Sequence, residues 1–245
     1  MLKCTEVSKR FGGLQALKKV DLTVKKSEIA GLVGPNGSGK STLLNLISGV
    51  YKPDSGKIFF LDEDISRFPS YAICAKGITK TSQTVQSFPD MTAIENVLAG
   101  LLFAEKKSTE KTEALPKAKE LLGFVGLSEE KFSVPAKNLN VVELRRVQLA
   151  KALATMPKLL LLDEMLTGLT PRESDEAIEL IRLINKQGVT VLIVEHVMRV
   201  IMGLCNRVTV LHHGEKIFEG TPKEVVNDER VVKVYLGKRF SLCEE

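Results

Sequence analysis

The stretch GPNGSGKST, from Gly34 to Thr42, decides the fold of this chain. It matches the phosphate-binding pattern G-x-x-x-x-G-K-[ST] at every fixed position. The apolar stretch EIAGLV (Glu28–Val33) before it predicts a buried strand, and KSTLLNLISG, which begins at Lys40, predicts a helix. This order directs backbone N–H groups to one point, where the helix dipole also favours negative charge. The sequence therefore predicts a loop that binds the phosphates of a nucleoside triphosphate.

The side chains of this loop suit the same chemistry. We expect Lys40 to reach the β- and γ-phosphates and the Ser41 hydroxyl to bind Mg²⁺. The residues expected to surround the phosphates are Gly34, Pro35, Asn36, Gly37, Ser38, Gly39, Lys40, Ser41 and Thr42. The alternative is a glycine-rich turn before an ordinary helix, and the complete match in the right context weighs against it.

The composition is that of one large domain with a sizeable core, because the chain has 245 residues and is 44% hydrophobic. Its net charge of +5 is spread without long blocks, which permits a membrane-surface or nucleic-acid partner and indicates neither. The cysteines Cys4, Cys74, Cys205 and Cys243 form no C-x-x-C pair and are typical of reduced thiols. The chain shows neither a signal-peptide core nor an apolar run that could span a bilayer. We therefore expect a cytoplasmic protein.

Strand-like and helix-like stretches alternate along most of the chain. Strands are predicted at Val20–Val24, Glu28–Val33, Lys57–Leu61, Leu159–Leu162, Val189–Val194, Val208–Leu211 and Lys216–Glu219. Their alternation with helices such as Arg172–Lys186 predicts an α/β fold, a P-loop NTPase core with a mostly parallel sheet. The strand-rich beginning predicts an additional antiparallel β subdomain, and Thr92–Phe103 and Glu113–Phe124 predict an inserted helical subdomain. We expect one domain, with its core over about residues 1–87 and 157–245 and a helical lobe over about residues 88–156.

Two further strand ends carry polar side chains. The stretch KLLLLDE ends in Asp163, which we expect to hold Mg²⁺ beside Ser41, and in Glu164, a candidate general base for an attacking water. The stretch VTVLIVEH ends in His196, at the sheet edge where ligands bind in open α/β folds. A lone histidine is more often a surface residue, but a phosphate site on neighbouring strands favours a sensor of the γ-phosphate.

Two residues have less specific surroundings. Gln83 follows the strand-like GIT stretch and precedes the helical lobe, so it lies at a hinge between the two parts of the chain. Phe11 is placed to stack on an adenine base or to plug the space between two strands, and the sequence leaves both open.

The order of these features resembles the ATP-binding cassette (ABC) family over nearly the whole chain. The resemblance implies Phe11 for adenine stacking, Gln83 and Asp163 for Mg²⁺, Glu164 as the base and His196 as a switch. Within the family, the ATPase subunits of bacterial branched-chain amino acid importers are the most similar. The stretches that carry this likeness are RFGGLQAL (Arg10–Leu17), FPDMTAIENVLAG (Phe88–Gly100), GLTPRE (Gly168–Glu173), VIMGLCNRV (Val200–Val208) and EGTPKEVVNDERVVKVYLG (Glu219–Gly237).

The resemblance also implies cofactors, partners and a location. It implies ATP and Mg²⁺ at the loop, and ATP hydrolysis coupled to transport. It implies a second cassette subunit, identical or different, and transmembrane permease subunits, with the chain peripheral on the inner face of the cell membrane. No nucleic-acid partner is expected, because the chain has a single cassette without a coiled-coil insertion or a basic block. A GTPase is disfavoured because NKQG, from Asn185 to Gly188, lacks the aspartate that would read guanine.

The chain departs from the family at its signature, where L-S-G-G-Q is replaced by LNVVE (Leu139–Glu143). In the family dimer this motif faces the ATP of the opposite subunit, so Asn140, Val142 and Glu143 are expected at that nucleotide. Val142 brings a β-branched side chain to a glycine position. Asn140 and Glu143 are still expected to form a helix capping box. The other departures are Ser82 for phenylalanine, Met165 for proline and Thr170 for Asp or Asn. A nucleotide-gated binding module with little hydrolysis is therefore the alternative function.

Overall fold

The computed structural model describes residues 1–81, 87–104, 111–195 and 197–236. The strands are β1 (Leu2–Phe11), β2 (Leu14–Val24), β3 (Ile29–Val33), β4 (Ser55–Phe60), β5 (Glu63–Asp64), β6 (Ile78–Lys80), β7 (Leu159–Asp163), β8 (Thr190–Val194), β9 (Arg207–His212) and β10 (Glu215–Gly220). The helices are α1 (Lys40–Ile47), α2 (Ser70–Ala75), α3 (Ala93–Ala104), α4 (Lys111–Phe124), α5 (Val141–Ala154), α6 (Pro171–Lys186), α7 (Met198–Leu204), α8 (Pro222–Asn227) and α9 (Glu229–Leu236). Short 3₁₀ turns lie at Glu129–Lys131 and Ala136–Asn138.

A six-stranded sheet in the order β10-β9-β3-β8-β7-β6 forms the centre of the fold. Its strands are parallel except β10, which pairs antiparallel with β9. The strands β3, β7 and β8 are buried along their whole length, which explains their continuous apolar sequences. A second sheet, β2-β1-β4-β5, is antiparallel throughout. Both sheets confirm the predicted α/β fold with an antiparallel subdomain.

Alternate residues of β7 point to opposite faces of the main sheet, as the pleat requires. Leu160 and Leu162 pack in a cluster with residues of α3 to α6, whereas Leu159 and Leu161 pack with the buried leucines of α1. The helix that follows the glycine loop therefore covers the face of Leu161. Asp163, two residues further on, is directed to the same face, toward α1.

Helices α3, α4 and α5 pack against one another beside the sheet. The first two confirm the helices predicted at Thr92–Phe103 and Glu113–Phe124, with small shifts of their ends.

Strand β1 was not predicted, because its buried residues alternate with exposed or half-exposed polar ones and give no apolar run. Within the described ranges, no helix has both the length and the hydrophobicity needed to cross a membrane.

Candidate functional site

The glycine loop between β3 and α1 runs so close to neighbouring backbone that side chains cannot be accommodated at two positions. Gly34 has φ 150°, and a Cβ atom there would lie 2.1 Å from the carbonyl oxygen of Leu211. Gly39, with φ 104°, would place a Cβ atom 2.7 Å from the carbonyl oxygen of Ala16. These are conformations and distances that L side chains essentially never adopt. The glycines at both positions are therefore needed for the loop to take this shape.

Main-chain hydrogen bonds hold the loop in place. The N–H of Ser38 donates to the Pro35 carbonyl at 3.2 Å, and the N–H of Gly214 donates to the Ser38 carbonyl at 3.1 Å. The second bond braces the loop with the β9–β10 turn. The Ser38 hydroxyl is buried and has no hydrogen-bond partner in the part of the chain that the structure describes. A buried hydroxyl in a loop closed around glycines fits the phosphate ligand that the sequence predicts.

Lys40, the first residue of α1, is only 6% exposed. Its Nζ donates to the carbonyl oxygens of Gly34 at 2.8 Å and Pro35 at 2.9 Å. Burial lowers the pKa of the Lys40 ammonium, and the nearby carboxylates of Glu164 and Asp163 oppose that shift. The loop thus carries a cation pre-positioned by its own backbone.

The predicted Mg²⁺ ligands Ser41 and Asp163 are brought together by the packing of α1 on β7. The Ser41 hydroxyl donates to Oδ1 of Asp163 at 3.4 Å, a long hydrogen bond between residues far apart in sequence. Asp163 is 3% exposed, whereas Ser41 is exposed. One carboxylate and one hydroxyl oxygen fit a hard cation that keeps several waters and binds phosphate oxygens. The third predicted ligand, Gln83, lies outside the described residues.

Glu164, the candidate base, has a strained backbone. Its φ is 49°, in the left-handed region that side chains avoid, and its N–H donates to the Val194 carbonyl at 2.9 Å. Strain of this kind costs about 1–3 kcal/mol and is concentrated at functional sites. Next to it, the fully buried Glu195 accepts a hydrogen bond of 2.7 Å from the N–H of Leu166. This bond ties the end of β8 to the loop that carries Glu164. His196, the predicted switch, lies outside the described residues.

Phe11 lies at the surface, 39% exposed. Its ring forms a T-shaped contact with the ring of Tyr51, with centroids 5.1 Å apart and planes at 71°, and Lys9 Nζ lies 5.5 Å from its centroid. The alternative of a buried plug between strands is therefore excluded. Stacking of Phe11 on adenine stays a prediction.

The altered signature begins helix α5 as its sequence predicts. Asn140 Oδ1 accepts from the N–H of Glu143 at 2.9 Å, and Glu143 Oε2 accepts from the N–H of Asn140 at 2.9 Å. The reciprocal capping box is therefore confirmed. The hydrogen bond from the backbone of Asn140 holds the pKa of the Glu143 carboxyl below its usual range. Lys131 assists this shift, and burial opposes it.

The two valines of the signature point in different directions. Val141 is 59% exposed, whereas Val142 is half-buried. Val142 lines an apolar cavity of about 570 Å³ between α5, α6 and the segment after β7, together with Met165, Leu166 and Leu169. The more exposed of the two side chains at the start of the helix is therefore that of Val141.

Two residues near the loop were missed by the sequence analysis. Lys80 Nζ lies 3.0 Å from Oδ2 of Asp163. On α9, burial raises the pKa of Tyr235, and the backbone of Gly34 opposes that shift. Neither belongs to a short motif. The only available signal for Lys80 was its place at the end of the strand-like GIT stretch.

Comparisons with known proteins give a consistent result. The family model described as ABC transporter matches residues 17–167, and that described as Branched-chain amino acid ATP-binding cassette transporter matches residues 215–241. The high-affinity branched-chain amino acid transport ATP-binding protein LivG of Escherichia coli (strain K12) is 36% identical over 251 residues, covering 97% of this chain and 98% of LivG. The lipopolysaccharide export system ATP-binding protein LptB of the same strain is 34% identical over 241 residues, covering 98% and 99%. The dimeric post-hydrolysis structure of the cassette MJ0796, bound to ADP and Pi, superposes with a TM-score of 0.84 at 29% identity, covering 91% of this chain and 99% of MJ0796.

Proposed function

We propose, from the premise that this chain belongs to the ABC transporter family, that it binds and hydrolyses ATP to drive a membrane importer. The observation that carries this is the 3.4 Å approach of the Ser41 hydroxyl to Asp163. It joins the glycine loop to the acidic strand end, the two parts that phosphoryl transfer to water requires.

Each residue then has a definite part. The loop N–H groups and Lys40 receive the ATP phosphates and offset the charge that develops on them. Ser41 and Asp163 would hold Mg²⁺, which supplies positive charge to the phosphate oxygens when bound. Glu164 accepts the proton of the attacking water. Phe11 stacks on the adenine, Gln83 couples the metal site to the helical lobe, and His196 senses the γ-phosphate.

The transported substrate is proposed from the relatives. LivG is named for branched-chain amino acid transport, and the end of this chain matches a family model of the same description. We therefore favour import of branched-chain amino acids or a related small polar solute. LptB, named for lipopolysaccharide export, is nearly as similar. Transport of radiolabelled leucine in cells that lack this chain, with and without its restoration, tests the substrate, and unchanged uptake argues against it.

The chain is proposed to work as one of two cassette subunits on transmembrane permeases, at the inner face of the membrane. MJ0796 is described as a dimer. Residues 88–156, the proposed helical lobe, would receive a segment of the permease. Two copies of this chain would each bring an altered signature to the partner's ATP, whereas a different second subunit would supply an intact one.

The second candidate function is a nucleotide-gated binding module that scarcely hydrolyses ATP. The exposed Val141 at the start of α5 favours it, because a β-branched side chain hinders close approach to phosphate. Steady-state Mg-ATP hydrolysis over a wide range of protein concentration separates the two. Activity that rises faster than linearly supports a catalytic homodimer. Tight ATP binding without turnover, in isolation and with a partner that has an intact signature, supports the binding module.

A further inference from the structure

Sheet register places Lys80 and Asp163 on one face of the sheet. Strands β6 and β7 are parallel, and Lys80 lies opposite Leu161. Because side chains alternate along a strand, Asp163 shares the face of Leu161 and hence that of Lys80. Helix α1 covers this face, so the side chain of Lys80 lies between the edge of the sheet and the helix that follows the glycine loop.

The ammonium of Lys80 is held by two oxygen atoms in this space. It lies 3.0 Å from Asp163 Oδ2 and donates to Asn45 Oδ1 at 2.7 Å. The side chains of Lys80 and Asp163 are 13% and 4% exposed, so the pair is largely screened from water. Asn45 lies one helical turn after Ser41, which faces the other carboxylate oxygen. Asp163 is therefore shared between a hydroxyl on one side and a cation on the other.

We propose that Lys80 competes with Mg²⁺ for Asp163 and thereby sets the Mg²⁺ concentration that tight nucleotide binding requires. The inference rests on the proposed function, since it assumes that Mg-nucleotide binds beside Ser41 and Asp163. The Lys80 ammonium, 3.0 Å from Oδ2 of Asp163, puts a positive charge on the carboxylate whose other oxygen, Oδ1, faces Ser41, where Mg²⁺ would bind. Like charges in a poorly hydrated site repel strongly. Mg²⁺ therefore binds at Asp163 only if the Lys80 ammonium moves away, or with an affinity that the repulsion lowers.

The same charge acts oppositely on the nucleotide itself. The phosphates are anions, and a buried cation next to their site attracts them whether or not a metal is bound. Lys80 is therefore expected to raise the affinity for metal-free nucleotide and to lower the affinity for Mg²⁺. Together, these two effects of Lys80 make the nucleotide affinity depend only weakly on the Mg²⁺ concentration.

The experiment measures binding of the fluorescent nucleotide mant-ADP to the full chain while Mg²⁺ is titrated. In Lys80→Met we expect the half-maximal Mg²⁺ concentration to fall at least ~fivefold and metal-free mant-ADP to bind more weakly. Lys80→Arg keeps the charge and is expected to stay near the wild type. The matched control is Lys76→Met, which removes the same charge from a surface ion pair with Glu63 and should change neither value.

An unchanged or raised Mg²⁺ requirement in Lys80→Met overturns the proposal. Lys80→Gln, which still donates a hydrogen bond to Asp163, gives the same test if the methionine variant does not fold, as judged by thermal melting. If the wild-type chain binds mant-ADP and the variants have the same half-maximal Mg²⁺ concentration, only the role of Lys80 is refuted. Wild-type chain that binds no mant-ADP at any Mg²⁺ concentration refutes the proposed function, and the role of Lys80 with it.

Discussion

Asn140 and Glu143 exchange two hydrogen bonds of 2.9 Å at the start of α5, each side chain accepting from the other's backbone N–H. The pair satisfies two N–H groups that the first turn of a helix leaves without partners. The altered signature therefore keeps the structural part of its task, while its solvent-facing surface differs from that of the family motif.

Removing the cap should destabilise the chain measurably. Asn140→Ala is expected to lower the free energy of unfolding by about 1 kcal/mol, because one N–H of α5 loses its acceptor. Asn140→Ser restores the family residue and keeps the cap, so it should stay within a few tenths of a kcal/mol of the wild type. Urea unfolding followed by circular dichroism gives both values. Equal stability of the alanine variant and the wild type would contradict the role of the cap.

The two valines of the signature should respond differently to glycine. Val141→Gly removes the exposed β-branched side chain, so we expect ATP hydrolysis by the isolated chain to rise. Val142→Gly also opens the wall of the apolar cavity, and should lower the free energy of unfolding by about 2 kcal/mol. Its effect on hydrolysis should be the smaller. Rates and melting curves measured on the same preparations separate the effects. If neither variant is faster than the wild type, steric hindrance at the signature is not what limits turnover.

Glu164 is expected to matter for turnover and not for nucleotide binding. Glu164→Gln keeps the size of the side chain but cannot accept the proton of the attacking water, so kcat should fall at least ~100-fold. Binding of mant-ADP should remain close to that of the wild type. Glu179→Gln, on the exposed face of α6, removes a charge from a surface pair with Arg182 and serves as the control. A wild-type rate no higher than that of Glu164→Gln would favour the binding module.

The stability contributed by Glu143 should depend on pH. The hydrogen bond from Asn140 holds its pKa in the folded chain below its usual range. A lowered carboxyl pKa contributes stability above the unfolded-state pKa of about 4.3, and this is lost as pH falls through the folded pKa. Glu143→Gln should therefore be less stable than the wild type at pH 7, and the gap should close below about pH 4. Glu120→Gln, which removes an exposed carboxylate of α4 outside the capping box, serves as the control. If the difference in the free energy of unfolding between Glu143→Gln and the wild type is the same at pH 7 and below about pH 4, the ionised carboxylate of Glu143 does not stabilise the helix start.

The elements that were predicted correctly have local signals. The loop and its flanking strand and helix follow from glycine spacing and an apolar run, and the capping box follows from Asn140 and Glu143 three residues apart. The buried strands β7 and β8 are apolar throughout because both of their faces are covered. Strand β1 was not predicted because polar residues interrupt its apolar ones. Its extended conformation depends on pairing with β2 and β4.

By itself, therefore, the sequence determined the α/β class, the glycine loop between β3 and α1, and the identity of the carboxylates at the strand ends. These depend on short spacings and backbone preferences that neighbouring residues encode. The tertiary structure alone decided that Lys80 meets Asp163, and that Val141 is more exposed than Val142. The first depends on the register between strands distant in sequence, and the second on the rotation of α5 against the core. Both are settled by the burial of apolar side chains over the whole fold, for which no short stretch carries a signal.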